Sequence, residues 1–335
     1  MRINREMLLR LAEEAALRQG KQGEDVVCVY LVGSLLRAEP LLGGTTDIDL
    51  MVVHEDQPPV EREWGPISHE VHYDIAHYAR ERFEPPRVLR LDPWMGGSLH
   101  SGARLLYEPR HWFEFVQAGA AAQFDLPENV AQRAGQLARS ARQRWLGLTN
   151  GSSAGDGSPL SSFLKSIEEG TNALLCLDGD PLPDRRLFLE APQRIAGLGY
   201  PQVNDGLGEL LGWQDEPPSG EKWAQLMDAW RAALGQAFTQ RNLSPQLQAA
   251  RLTYYESAIA AANQDAPLQA TWLLLRTWMR AQPPDASPTG AWADLLASLG
   301  LSPAIPEAAL ALLDRFLDDV EESLDQWAAR NEVTP

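Results

Sequence analysis

The chain has 335 residues, 44% hydrophobic and 22% charged, proportions ordinary for a soluble globular protein and a length that favours two domains. Its net charge is −17 and its lysines are only Lys21, Lys165 and Lys222, with no basic block. That disfavours a grip on long nucleic acid and favours a cationic or metal-accompanied ligand.

In chain order, residues 4–19 predict a helix: Asn4 caps it, and Met7, Leu8, Leu11, Ala12 and Ala15 follow helical spacing. Arg2, Arg5, Glu6, Arg10, Glu13 and Glu14 interrupt this segment, which does not fit a secretory signal. The β-rich run Val26 to Val32 ends at Gly33-Ser34. It is too short to span a bilayer even when extended to Leu36, so a cytoplasmic protein without membrane association is expected. Further strands are predicted at Ile48 to Val53 and Glu70 to Tyr78, with turns at Leu42-Gly43-Gly44-Thr45-Thr46 and Gln57-Pro58-Pro59.

After about residue 112 strand signals fade. Helices are predicted near 127–147, 160–177, 220–240, 245–263, 267–281 and 304–330, with a Gly/Ser/Pro loop from Asn150 to Pro159. In the last helix Leu310, Leu313, Leu317, Val320, Leu324 and Trp327 recur in steps of three and four, while Asp314, Asp318, Asp319, Glu321 and Glu322 lie off that seam. Such a seam packs inside its own bundle or joins two copies in a homodimer. Cys28 and Cys176 have no metal-site spacing and read as buried, reduced thiols.

The segment that carries chemistry is VYLVGSLLRAEPLLGGTTDIDLMVV, Val29 to Val53. A strand ending in Gly33-Ser34 before a short helix at Leu35-Leu36-Arg37 exposes backbone N–H groups to a phosphate, and the absence of a Cβ at Gly33 permits close approach. Asp47-Ile48-Asp49-Leu50 then enters an apolar strand. Residues i and i+2 share a strand face, so Asp47 and Asp49 project together while Ile48 and Leu50 face a core. Carboxylates held that close repel one another, and a divalent cation removes the conflict; oxygen-only ligands suit Mg²⁺. The alternatives for this pair are a charged strand edge or a helix cap near Thr46. In the run His69 to Tyr78, Asp74 is the expected third acid, with Glu70 on the same face as the second choice.

Gly33-Ser34, then Asp47-x-Asp49, then a later strand acid resembles the DNA polymerase β-like nucleotidyltransferase superfamily over roughly residues 25–110. The helical remainder resembles the layout of antibiotic nucleotidyltransferases, the kanamycin, streptomycin and lincosamide modifiers. Ala38-Glu39-Pro40 stands where many relatives have a glycine. The resemblance implies an α+β nucleotidyltransferase domain at 1–115, a small mixed sheet with flanking helices. An all-α helical bundle at 116–335 would cover the acceptor side of the cleft. It implies catalysis by Asp47, Asp49 and Asp74 holding two Mg²⁺ ions (Mn²⁺ as the substitute), with Gly33, Ser34 and Arg37 on the triphosphate of an NTP, ATP in the first instance. The expected reaction transfers a nucleoside monophosphate to a hydroxyl of a small acceptor such as an aminoglycoside and releases pyrophosphate. Transfer to a protein or tRNA end, as in toxin–antitoxin systems, and a non-catalytic nucleotide-binding module are the alternatives.

By the same resemblance Lys165 is a candidate for phosphate contact and Glu168 or Glu169 for the acceptor's base; a solvated Lys–Glu pair is the plainer account. His54, His69, His72, His77, His100 and His111 all fall in the first domain, but strand parity keeps His69 and His77 off the face of His72, against a shared zinc site. Arg104, like Arg37, is a phosphate candidate. The eleven tryptophans, mostly in the helical half, read as packing residues.

Overall fold

The computed structural model describes residues 3–22, 25–151, 158–212, 220–239, 247–282 and 290–333. Most of the predicted 150–159 loop lies outside them, as do residues 240, 245 and 246 of two predicted helices.

Helix α1 (Arg5–Gln22) starts where expected, with the Asn4 side chain accepting the Met7 N–H at 2.9 Å. Strand β1 (Val26–Val32) is buried at every residue. Such a continuous apolar run belongs to a strand covered on both faces. It pairs with β2 (Thr46–His54), and β2 runs parallel to β4 (Val71–Ala79). The edges are β3 (Arg62–Pro66), beside β4, and β5 (Arg104–Tyr107), beside β1, giving the mixed order β3-β4-β2-β1-β5. Neither edge strand was predicted. Both are short, and β3 (REWGP) is largely exposed, so neither shows the apolar alternation that announces a strand.

One sheet face packs Val29, Leu31, Ile48, Leu50, Val52 and Ile75 against Leu8, Ala12 and Ala16 of α1. The other packs Cys28, Tyr30, Val32 and Val53 against Phe83 and Leu89 and against residues of α2 (Met95–His100) and α3 (Phe113–Ala121), among them Leu99 and Phe113. Cys28 is a free, buried thiol, as is Cys176.

On the α1 side a histidine pair bridges β2 and β4. His54 Nδ1 lies 3.0 Å from Asp25, its Nε2 lies 2.9 Å from His77 Nδ1, and His77 Nε2 faces Glu63 at 3.7 Å. Burial holds the His77 pKa below the usual histidine value, with the carboxylate of Glu63 opposing and His54 adding to the effect. The unfolded chain therefore takes up this proton first. The stability linked to His77 is complete above about pH 6.5 and is lost as pH falls below it. We expect the melting temperature of His77→Phe to fall less than that of the wild type between pH 7 and 5; parallel curves would refute the assignment.

By contact, the chain divides into Met1–Asn129 with Ala250–Ala261, and Val130–Ala249 with Ala262–Pro335. This differs from the boundary expected at residue 115: α3 completes the cover of the sheet, and residues 250–261 join it from far along the chain.

The second unit is helical: α4 (Pro127–Thr149), α5 (Pro159–Leu175), α6 (Leu187–Leu198), α7 (Pro201–Leu210), α8 (Gly220–Ala237), α9 (Leu252–Asp265), α10 (Pro267–Ala281), α11 (Gly290–Ser298) and α12 (Glu307–Arg330). Residues 127–129 of α4 and most of α9, residues 252–261, belong to the first unit. In α12, Leu313, Leu317 and Val320 are buried, and the helix packs on α5 and α7, so the leucine seam is a bundle seam at its centre. Three of the acids off that seam, Asp314, Asp318 and Glu321, converge on Arg142 of α4. No described helix is long and apolar enough to cross a membrane.

Candidate functional site

Strand parity puts Asp47 and Asp49 on one face of β2, because Ile48 and Leu50 between and after them are fully buried in the α1 core. The parallel register sets Asp49 opposite Asp74 and Asp47 opposite His72. Carboxylate oxygens of Asp47, Asp49 and Asp74 come within 4.8 Å of one another. Glu70 precedes β4, bonds to Ser68 and stays outside this group.

Gly33 closes the Asp49 side. Its φ of 81° and ψ of −155° lie in a region essentially reserved for glycine, and a Cβ there would stand 2.2 Å from Asp49 Oδ2. Ser34 opens a 3-10 turn, Ser34–Leu36, and its hydroxyl lies 2.9 Å from that of Thr46, immediately before Asp47. The turn is thereby fastened to the acid-bearing strand. Arg37 follows it, half-buried.

Two arginines and a tyrosine that sequence reading passed over complete the site. Arg62 on β3 grips Asp74 with both arms of its guanidinium, at 2.6 and 2.7 Å. Arg251 donates to Asp47 Oδ2 at 2.9 Å, and the Tyr254 hydroxyl donates to the same oxygen at 2.6 Å. The Arg251 guanidinium lies 4.3 Å from the Tyr254 ring centroid and 5.6 Å from that of Tyr255. The 250–261 segment is docked on the sheet unit by further bonds. His72 reaches the Ala250 carbonyl, Thr45 reaches that of Tyr254, and a Cβ on Gly43 would stand 2.1 Å from the Ser257 carbonyl oxygen. No local signal marks Arg251 and Tyr254, which lie more than 200 residues from Asp47. Arg62 was hidden by the weak pattern of β3.

The electrostatics are asymmetric. Burial, and then the charges of Asp47 and Asp74, push the Asp49 carboxyl well above the usual carboxylate range. Among the described residues no group donates a hydrogen bond to Asp49, and Asp47 Oδ1 is buried without a partner. An orphaned oxygen and an unsupported carboxyl among three clustered acids suit a divalent cation held by oxygen ligands. Asp47, Asp49 and Asp74 would hold it.

The other candidates have partners of their own. In the helical unit, Lys165 bonds Glu168 at 2.8 Å, Glu168 also meets Arg276 at 3.0 Å, and Arg276 and Arg280 both reach Asp184. Burial raises the Glu168 pKa, with Asp184 adding to it. Glu169 pairs with Arg144 at 2.8 Å. Arg104 pairs with Glu13 of α1 at 2.8 Å, and its register partner Leu31 faces α1, so it lies off the acid face. Apart from the His54–His77 pair, the histidines lie separately: His72 bonds the Ala250 carbonyl, His100 stacks on Phe124, and His69 and His111 are exposed.

By sequence the chain matches no family model and no curated protein. Among solved structures it is similar to a nucleotidyltransferase-like protein from Exiguobacterium sibiricum 255-15. The identity is 12% and the TM-score 0.27, over 96% of this chain and 91% of that one. A likeness so distant leaves the activity to be judged from the residues themselves.

Proposed function

We propose that this chain transfers a nucleoside monophosphate from an NTP, ATP in the first instance, to a hydroxyl of a small acceptor, releasing pyrophosphate. The observation that carries this reading is the convergence of Asp47, Asp49 and Asp74 beside the Gly33-Ser34 turn. Mg²⁺ bound by these acids would lower the pKa of the attacking hydroxyl and neutralise charge at the α-phosphate and the leaving pyrophosphate. The protein's part is positioning. Arg251 and Tyr254 fix the Asp47 carboxylate through one oxygen and leave the other turned inward. The backbone at Gly33 leaves room against Asp49 that any side chain would fill. Asp74, opposite Asp49 on the parallel strand, would accept the proton of an acceptor hydroxyl. The chain's acidity suits a cationic acceptor of the aminoglycoside kind. Lys165 with Glu168 or Glu169 would serve phosphate and acceptor only by exchanging their present ion-pair partners.

One observation favours a second reading, a nucleotide-binding module without turnover: Asp47 and Asp74 already carry arginine partners. Pyrophosphate release separates the two. The four NTPs with Mg²⁺ are assayed against aminoglycosides, lincosamides, protein and RNA ends. Turnover on a small acceptor supports transfer as stated, labelling of protein or RNA moves the acceptor class, and NTP binding without turnover on any acceptor supports the module.

A further inference from the structure

Three carboxyl groups face two guanidinium groups in this site, and the two arginines are held in different ways. Arg251 is locked. Its side chain is 6% exposed, it lies against Tyr254 and Tyr255, and the carboxylate it touches is also held by the Tyr254 hydroxyl. Arg62 is not locked. Its side chain is 44% exposed, it sits on an edge strand, and both of its described hydrogen bonds go to one carboxylate. Its guanidinium also lies 5.2 Å from the ring of Trp64, the residue paired with Asp74 across the strands.

The fork of Arg62 engages both oxygens of Asp74. Each oxygen keeps a second lone pair for a cation, but a cation that takes Asp74 as a ligand then shares one carboxylate with the guanidinium, and the repulsion between the two positive charges weakens the bidentate pair. A guanidinium loosened in this way remains anchored on the edge strand and exposed, with five donors shaped for carboxylate or phosphate oxygens. A triphosphate brings those oxygens to the same place as the metal that accompanies it.

We propose that Arg62 is a charge-exchange residue: it holds Asp74 in the metal-free protein and transfers its fork to the triphosphate when metal and nucleotide enter together. This rests on the nucleotidyl-transfer reading and adds a positioning residue to it. The consequence is coupling. Metal alone binds weakly because it competes with Arg62, and nucleotide strengthens it by giving the guanidinium a new partner. By reciprocity metal strengthens nucleotide binding by the same factor. The site would then discriminate against free divalent cations and in favour of the metal–nucleotide complex.

The probe is Mn²⁺, with the free ion counted by electron paramagnetic resonance, alone and with a non-hydrolysable α,β-methylene triphosphate. In the wild type the analogue is expected to tighten Mn²⁺ binding about tenfold or more, the scale of one charge-assisted hydrogen bond. Arg62→Gln is expected to bind Mn²⁺ alone about tenfold more tightly than wild type, and to lose most of the gain from the analogue. Arg62→Lys, which keeps the charge and loses the fork, should fall between, and it carries the test if Arg62→Gln fails to fold. Mn²⁺ affinity of the variant equal to wild type, or an unchanged gain from the analogue, would overturn the exchange and leave Arg62 as an ion pair that pins β3. Asp49→Asn separates this from failure of the underlying reading. If Mn²⁺ binds equally well without the Asp49 carboxylate, the metal site itself is wrong; if binding depends on Asp49 but not on Arg62, only the exchange fails.

Discussion

Asp49→Asn is expected to lose pyrophosphate release by on the order of 10²–10³-fold or more, the scale for removing one group that stabilises transition-state charge. It is also expected to melt at a higher temperature than the wild type at pH 8 in the presence of a chelator. Both effects come from the same placement. Asp49 sits between Asp47 and Asp74, unsupported by any described hydrogen bond, and its carboxyl is held well above the usual range by burial first and by those two charges second. A group whose pKa is raised on folding contributes stability in full below its unfolded value, and loses it as pH rises through the folded one. At pH 8 keeping this carboxyl in the fold, whether by taking up a proton or by burying a charge, is therefore a net cost that the amide lacks. Towards pH 4, near the unfolded value of an aspartate, the melting temperatures should converge. Mg²⁺ should raise the melting temperature of the wild type and not that of the variant. Thermal unfolding at pH 4–8, with chelator or Mg²⁺, reads all three effects. A variant less stable than wild type at pH 8 would mean that Asp49 is a supported structural carboxylate and not a strained ligand.

Gly33→Ala is expected to cost turnover far more than it costs stability, because it strains the turn and strikes the Asp49 carboxylate. At φ 81° and ψ −155° an alanine costs about 1–3 kcal/mol in backbone strain alone. That corresponds to a melting temperature lower by roughly 2–10 °C. The added Cβ would also stand 2.2 Å from Asp49 Oδ2, so either the turn or the carboxylate must move. Displacing a ligand by about 1 Å costs roughly 10²-fold in rate, so turnover should fall far more than folding does. Gly44→Ala is the matched control. That residue also has a positive φ, 76°, but a Cβ there meets nothing within 4 Å. It should lose stability and keep turnover. If both variants lose turnover equally, the Gly33–Asp49 contact is not what the glycine serves.

The sequence carried Asp47, Asp49 and Gly33-Ser34 because their signals are local. Strand parity needs only residues i and i+2, and β1 announces itself as an unbroken apolar run buried on both faces. Asp74 was readable for the same reason, lying in a β-favouring run whose register with β2 then places it opposite Asp49. The small helices α2, α3, α6, α7 and α11 and the edge strands β3 and β5 escaped because short elements present too few residues for a period to show.

What the sequence determined by itself is the pair Asp47 and Asp49, two carboxyls on one strand face too close together to be stable without positive charge, with Asp74 ahead of Glu70 as the third. What supplies that charge in the folded chain was decided only by tertiary structure. Arg62 comes from an exposed edge strand and Arg251 from the short 3-10 turn that precedes α9, more than 200 residues away. A local pattern records which face a side chain takes, since that follows from backbone geometry over a few residues. It does not record which distant segment is packed against that face, since that follows from burial summed over the whole unit.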